Sequence, residues 1–172
     1  TIDVNLLSSF WTTKVFLPNM IENNHGHIVT IASALGYVGV AQAADYCASK
    51  AGLIGFHDSL RYELKTRYNA PKIRTTLVCP GHIGTGLFDG IYVTVPFITP
   101  CLPPLDLVKR IITALDRNEG TDIFIPYFTY LLPFLRAVPG FVYDLASQWS
   151  GAYISMKTWI DNRGFLEIKK IK

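Results

Sequence analysis

The fold is decided by the stretch His27-Ile-Val-Thr-Ile-Ala-Ser33 and by Tyr46-Cys-Ala-Ser-Lys50, which follows it closely. The part of the first stretch from His27 to Ala32, bounded by Gly26 and Ser33, is a run of β-branched and apolar residues and predicts a short strand buried on both faces. The second lies in a stretch from Asp45 to about Tyr68, where apolar side chains recur at helical spacing. The sequence therefore predicts a buried strand, a loop of small residues and a long helix, in that order.

The same alternation continues on both sides of this unit. A helix is predicted from Thr1 to Asn24, with a kink or an early end at Pro18. After the long helix, the pattern predicts a buried strand over 73–78, a helix over 105–118 and a short strand over 122–126. Helices that alternate with strands indicate an α/β fold, in which crossover helices connect the strands of a parallel sheet.

Composition and charge exclude several classes of protein. The chain has 172 residues, of which 49% are hydrophobic and 17% charged, and this excludes an intrinsically disordered chain. The net charge of +3 is too small to indicate a nucleic-acid partner, and residues 157–172 hold all of it. Three cysteines without C-x-x-C spacing predict reduced thiols of an intracellular protein and no metal site.

Tyr46 and Lys50 form the first candidate for chemistry. They are four positions apart on the predicted helix, so both side chains lie on one face. A nearby ammonium favours the phenolate and lowers the pKa of a tyrosine, which suits proton transfer to or from a carbonyl and alcohol couple. Ser33 ends the preceding strand, at the edge of a parallel sheet where ligands bind. We therefore expect its hydroxyl to lie beside Tyr46, the alternative being a serine that caps a backbone turn.

A glycine-containing turn, Cys79-Pro80-Gly81-His-Ile-Gly-Thr85, ends the next predicted strand. Its backbone and the Thr85 hydroxyl would approach a ligand at the same sheet edge. Residues 81–86 follow the pattern G-x-x-G-x-G, which differs from the phosphate-binding G-x-G-x-x-G, and no strong helix follows. We therefore do not assign this turn as a pyrophosphate site.

Four motifs in register resemble the classical short-chain dehydrogenase/reductase family. They are Asp3-Val4-Asn5, Ser33, Tyr46-Cys-Ala-Ser-Lys50 and Pro80-Gly81-His-Ile-Gly-Thr85. The resemblance covers residues 1 to about 126 and implies the catalytic part of a nicotinamide-binding domain. The implied fold is the C-terminal part of a Rossmann-like doubly wound parallel sheet, followed over 127–172 by an apolar, aromatic extension with a basic end.

The same resemblance implies a role for each motif residue. Tyr46 would be the acid/base, Ser33 would orient the substrate oxygen and Asn5 would hold a water in a proton relay. Lys50 would lower the pKa of Tyr46 and bind the nicotinamide ribose of NAD or NADP. Further cofactor contacts are implied for Pro80, Gly81, Ile83 and Thr85.

Two segments outside the motifs are similar to a narrower branch of the family. They are Phe10-Trp-Thr-Thr-Lys-Val-Phe-Leu-Pro-Asn-Met20 and Asn24-His-Gly-His-Ile-Val-Thr30. They resemble the membrane-associated retinol and 17β-hydroxysteroid dehydrogenases of the endoplasmic reticulum and lipid droplets. This resemblance implies a small lipophilic substrate such as a retinoid or steroid, a membrane or lipid-droplet location or otherwise a cytoplasmic one, and a homodimer.

One part of the family pattern is not in this sequence. The glycine-rich Thr-Gly-x-x-x-Gly-x-Gly turn is absent, and so is the residue that selects NAD or NADP. The chain also begins with Thr1, and its first methionine is Met20. We therefore expect a fragment that lacks the adenine-binding half, and we expect the fragment alone to be inactive and prone to aggregation.

Alternatives remain for the extension and for the function. The segment 123–135 is too short and too interrupted by proline to span a bilayer, and it would either lie in a membrane interface or pack over the substrate pocket. A non-catalytic truncated paralogue acting at a lipid surface is the main alternative function. A hydrolase with Ser33 as nucleophile is less favoured, because no G-x-S-x-G elbow surrounds that serine.

Overall fold

A parallel three-stranded sheet forms the centre of the fold in the computed structural model, which describes residues 1–85 and 100–151. Its strands are β1 (Gly26–Ile31), β2 (Ile73–Pro80) and β3 (Asp122–Ile125), in the order β1-β2-β3. Both pairs are parallel, with Thr30 opposite Leu77 and Leu77 opposite Asp122. The predicted α/β class and the parallel sheet are confirmed, and β2 extends two residues beyond its predicted end.

Four α-helices accompany the sheet in the described ranges: α1 (Ser8–Asn23), α2 (Ala44–Thr66), α3 (Pro104–Asp116) and α4 (Gly140–Ser150). A π-helical turn at Asp3–Leu7 leads into α1. Shorter 3₁₀ helices lie at Ala34–Gly36 and Tyr127–Arg136. Pro18 lies inside α1, which continues to Asn23, so the early end that was one expectation for this proline is wrong.

Helices cover both faces of β2, as a doubly wound arrangement requires. Leu77 and Cys79 belong to a buried cluster with Leu53 and Ile54 of α2. Val78, between them in sequence, belongs to a second cluster with Leu107 of α3. Because successive side chains of a strand point to opposite faces, α2 and α3 lie on opposite sides of the sheet. This apolar packing fixes the carboxyl ends of the strands relative to the start of α2.

The expectation that β1 is buried on both faces is wrong for the described part of the chain. Among its six residues only Thr30 is buried, and Ile31 is 45% exposed. The physical reason is its place in the sheet, because β1 pairs with β2 alone and forms an edge. Large apolar side chains of α1, among them Trp11 and Val15, are also exposed.

The C-terminal extension is helical where the structure describes it. The 3₁₀ helix at Tyr127–Arg136 is followed by α4, which the sequence pattern did not predict. In residues 1–85 and 100–151, no helix combines the length and the apolar character that crossing a membrane would need. The basic residues 157–172 and most of the predicted loop 82–104 lie outside the described ranges.

Candidate active site

Ser33 and Tyr46 meet at the carboxyl end of β1. Ser33 is buried, lies just after the strand and has an extended backbone, with φ at −166°. Its side chain is hydrogen-bonded to the side chain of Tyr46, which lies in the first turn of α2. The Ser33 Oγ also accepts a hydrogen bond of 3.1 Å from the Leu35 amide. The serine therefore caps a backbone turn and also contacts the tyrosine, while its role toward a substrate oxygen stays a prediction.

Lys50 lies one helical turn after Tyr46, and a hydrogen bond to the strand β1 fixes its side chain. Its Nζ donates a hydrogen bond of 2.9 Å to the carbonyl of Ile31, the last residue of β1. The same Nζ lies 5.7 Å from the centroid of the Tyr46 ring. An ammonium has three protons and the bond to Ile31 uses one, so the group has donor capacity for a ligand.

Burial dominates the electrostatics of this pair. It raises the pKa of Tyr46, while the hydrogen bond with Ser33 acts in the opposite direction and favours the phenolate. Burial also lowers the pKa of Lys50, because the charged ammonium is partly removed from water. The expected net lowering of the tyrosine pKa by Lys50 is therefore not found in the chain without a bound ligand.

Asn5 is joined to the start of α2 through Ser49. The Asn5 Nδ2 donates a hydrogen bond of 3.1 Å to the Ser49 Oγ, which in turn donates 2.7 Å to the backbone carbonyl of Tyr46. Ser49 is fully buried, and Asn5 lies in the π-helical turn, a distortion that often occurs at functional sites. Sequence reasoning missed Ser49 as a connecting residue, although it precedes Lys50 directly in the quoted motif.

The turn after β2 lies at the same edge of the sheet, on the neighbouring strand. The Gly81 amide donates a 2.7 Å hydrogen bond to the Ile125 carbonyl, and Ile83 forms a parallel bridge with Leu102. A Cβ atom at Gly81 would lie 3.0 Å from the Pro126 Cδ, so the close approach of β3 favours glycine there. Pro80 is buried as the last residue of β2, and Thr85 is exposed at the end of the described range.

These residues fit one part of a nicotinamide cofactor. Tyr46, Lys50 and the turn 80–85 lie at the carboxyl ends of two adjacent parallel strands, where open α/β sheets bind dinucleotides. Their chemistry, an ammonium, a phenol and a turn with exposed backbone and hydroxyl groups, suits a ribose and a carboxamide. The glycine-rich turn that would hold the pyrophosphate is not among the 172 residues.

The thiol of Cys79, which precedes Pro80 directly in the sequence, is unsuited to nucleophilic chemistry. Cys79 is fully buried, and burial raises the pKa of its thiol to about 12, so it is inert as a nucleophile. Cys47 and Cys101 are free thiols as well. Residues 1–85 and 100–151 contain no group of three or more histidine, cysteine or acidic side chains arranged to bind a metal ion.

Comparison with known proteins identifies the family. The model of the short chain dehydrogenase family matches residues 1–94, and the chain belongs to that family. The chain is 45% identical over 141 residues to retinol dehydrogenase 10 of Homo sapiens, covering 80% of this chain and 40% of that protein. It is 38% identical over 168 residues to short-chain dehydrogenase/reductase family 16C member 6 of Bos taurus, covering 96% and 52%. The chain thus spans about half the length of these relatives.

Solved structures agree with this assignment. A 4-hydroxyisoleucine dehydrogenase complexed with NADH and succinate is 27% identical, with a TM-score of 0.56, over 72% of this chain and 55% of that one. A putative oxidoreductase from Escherichia coli has a TM-score of 0.61 at 20% identity, over 76% of this chain and 53% of that one, and supports the fold alone. The Rossmann-like architecture expected from the sequence is confirmed.

Proposed function

We propose that this protein interconverts a lipophilic alcohol and its carbonyl compound, using NAD or NADP. The observation that supports this most directly is the hydrogen bond between Ser33 and Tyr46, with the Lys50 ammonium 5.7 Å from the tyrosine ring. A phenol that exchanges a proton with a substrate oxygen, beside a hydroxyl that orients that oxygen, is suited to this couple. Family membership and the NADH complex of a similar structure support the cofactor class.

Each residue of the site has a defined part in the proposed mechanism. Ser33 binds the substrate oxygen, and Tyr46 takes the proton of the alcohol or returns it to the forming alkoxide. Lys50 would hold the ribose, and its positive charge, 5.7 Å from the centroid of the Tyr46 ring, would oppose the effect of burial and favour the phenolate. A bound nicotinamide supplies the site that accepts or donates the hydride. Pro80 at the end of β2 and Gly81, Ile83 and Thr85 in the turn after it would help to hold the nicotinamide.

Asn5 has a positioning part in this proposal. Its bond to Ser49 fixes the first turn of α2, because Ser49 holds the Tyr46 carbonyl. The proposed water relay would use the remaining hydrogen-bonding capacity of the Asn5 amide.

The substrate class rests on the relatives. Retinol dehydrogenase 10 is named for a retinoid alcohol, and its identity of 45% supports a retinoid or another lipid alcohol for this protein. We place the catalytic part at residues 1–126 and the apolar extension at 127–172.

The test is removal of the phenolic hydroxyl in the full-length protein. Tyr46→Phe should lower kcat by about a thousandfold, since a positioned acid/base contributes roughly 10²–10⁴. Tyr62→Phe is the matched control, because Tyr62 lies on the same helix, exposed and more than four turns away. Retinol and a steroid alcohol are the substrates, and NADH or NADPH formation is the readout. Wild-type turnover in Tyr46→Phe would refute the assignment.

A lipid surface is the proposed location, and the exposed side chains of the extension support it. Six large apolar residues have exposed fractions between 61% and 75%: Tyr127, Leu131, Phe134, Phe141, Leu145 and Trp149. Aromatic and aliphatic side chains of this kind bind the boundary between headgroups and acyl chains. The endoplasmic reticulum membrane or a lipid droplet would provide such a surface, for the enzyme or for the non-catalytic alternative.

Vesicle binding tests the location. The full-length protein should co-sediment with phosphatidylcholine–phosphatidylserine vesicles, and Leu131→Gln with Trp149→Ser should reduce binding about tenfold. Tyr62→Ser is the matched control, since it removes an exposed aromatic ring elsewhere. Equal binding of all three proteins would contradict this role of the extension.

A homodimer through α1 and α2 is proposed as well. Exposed Trp11, Val15 and Phe16 on α1 would be covered in it. Light scattering of the purified protein measures the mass directly, and a monomer at micromolar concentration would exclude the dimer.

A further inference from the structure

His57 lies on α2 between residues of two apolar clusters, and its side chain contacts β1. On one side, Leu53 and Ile54 pack with Ala32. On the other side, Leu60 and Leu64 pack with Ile73 and with the partly buried Ile28. His57 is 1% exposed, and it is the polar member of an otherwise apolar helix face at this point.

The imidazole makes one hydrogen bond across this contact. Its Nδ1 lies 3.0 Å from the Oγ1 of Thr30, which is 7% exposed. Its Nε2 is buried and has no hydrogen-bond partner. A leucine would fill such a space without leaving a buried nitrogen unsatisfied, so stability alone does not explain a histidine here.

A hydrogen bond fixes the relative position of two elements more narrowly than apolar packing does. Contacts among leucine and isoleucine side chains tolerate small sliding movements, whereas a hydrogen bond requires a narrow range of distance and angle. In some proteins, such as coiled coils with a buried asparagine, buried polar groups fix the register of packed elements at some expense of stability. The bond between His57 and Thr30 fixes one point of α2 along β1.

That point is directly connected to the candidate active site. Thr30 precedes Ile31, whose carbonyl accepts the hydrogen bond from Lys50. His57 follows Lys50 by two helical turns, so both side chains lie on the face of α2 that is turned to the strand. A displacement of α2 along β1 would move Lys50 from Ile31 and Tyr46 from Ser33 together.

We infer that His57 is a positioning residue, which through Thr30 sets the register of α2 on β1 and thereby places Lys50 and Tyr46 in the active site. Its catalytic consequence rests on the proposed function, whereas its effect on the position of Lys50 does not. The imidazole touches neither Tyr46 nor Lys50 in this assignment and acts through the helix alone.

The decisive variant removes both polar partners and keeps their volume. Thr30→Val with His57→Leu should be as stable toward urea as the wild type or more stable, because no buried polar group is left without a partner. The same full-length variant should lose at least tenfold in kcat with KM for the alcohol within twofold. Thr30→Ser keeps the hydroxyl and is the matched control, and we expect its kcat and its KM for the alcohol to lie within twofold of the wild-type values.

A second readout needs no turnover. The rate at which acetic anhydride acetylates Lys50, measured by mass spectrometry, should rise at least threefold in the double variant, because its Nζ no longer donates to Ile31. Lys65 on the last turn of α2 serves as the internal reference. An unchanged Lys50 rate would overturn the inference even if the wild type oxidised no alcohol, and this separates it from a failure of the proposed function.

Single substitutions keep the inference testable if the double variant does not fold. Asparagine can present its amide near the position of Nδ1, whereas glutamine reaches toward that of Nε2. His57→Asn should therefore keep the wild-type Lys50 rate, and His57→Gln should raise it. Identical rates in these two variants would also overturn the inference.

Discussion

Removal of the Lys50 charge should move the pH–rate profile by an amount that the structure sets. In Lys50→Met the positive charge that lies 5.7 Å from the centroid of the Tyr46 ring is lost. With an effective dielectric constant of about 20, Coulomb's law gives about 3 kcal/mol at that distance. Since 1.36 kcal/mol corresponds to one pKa unit, this energy sets an upper limit of about 2 units on the further rise in the pKa of Tyr46.

The assay is alcohol oxidation by the full-length protein with saturating cofactor, followed from pH 6 to 11. Oxidation needs the phenolate, so the rising limb of log(kcat/KM) should shift toward higher pH, by up to about 2 units. At neutral pH the phenolate fraction, and with it the rate, should fall by up to about a hundredfold. KM for the cofactor should rise too, because the proposed contact with the ribose is lost.

Two controls separate charge from other effects. Lys50→Arg keeps the charge, so the rising limb of its pH–rate profile should remain within about half a pH unit of the wild-type position, even if the altered geometry slows the reaction. Lys65→Met removes a charge from the far end of α2 and should leave the profile in place. A rising limb that stays within half a pH unit of the wild-type position in Lys50→Met would refute the argument that this ammonium lowers the pKa of Tyr46.

Three further predictions concern stability. Phe124→Ala should lower the free energy of unfolding by about 3–5 kcal/mol, because the ring is buried and its removal leaves a cavity; a urea midpoint close to that of the wild type would contradict this. Ser49→Ala should lower the free energy of unfolding by about 1–2 kcal/mol in the same assay, since the amide of Asn5 loses its acceptor. Ser49→Thr keeps a hydroxyl and should restore part of the lost stability; equal loss in both variants would show that the bond does not contribute. Burial holds the pKa of His57 below its ordinary value, so the folded state binds fewer protons than the unfolded state, and the free energy of unfolding should fall as pH decreases below about 6.5. This fall should be smaller in His57→Leu. An equal dependence of the free energy of unfolding on pH in the two proteins would contradict the prediction. The charged groups that influence this imidazole are Asp58, Asp122 and Arg61.

Local patterns in the sequence were sufficient for the part of the site that lies within one element. Tyr46 and Lys50 share a face because of helical geometry, and an apolar period of the same kind predicted the helix around them. The position of Ser33 followed from a rule of topology, since parallel strands place their carboxyl ends at one edge. The helix α4 was not predicted, and the expected burial of β1 was wrong. The burial of a strand depends on which neighbours cover its faces, and local sequence patterns do not contain that information.

The sequence by itself determined the order of the strands and helices over residues 1–126, the class of fold and the candidate residues for proton exchange. Only the tertiary structure decided that Asn5 reaches Ser49, that His57 reaches Thr30, and that burial raises the pKa of Tyr46. The physical reason is the separation along the chain over which each effect acts. Periodicity and propensity act over a few residues, whereas these hydrogen bonds join residues 44 and 27 positions apart, and desolvation depends on every atom packed around the phenol.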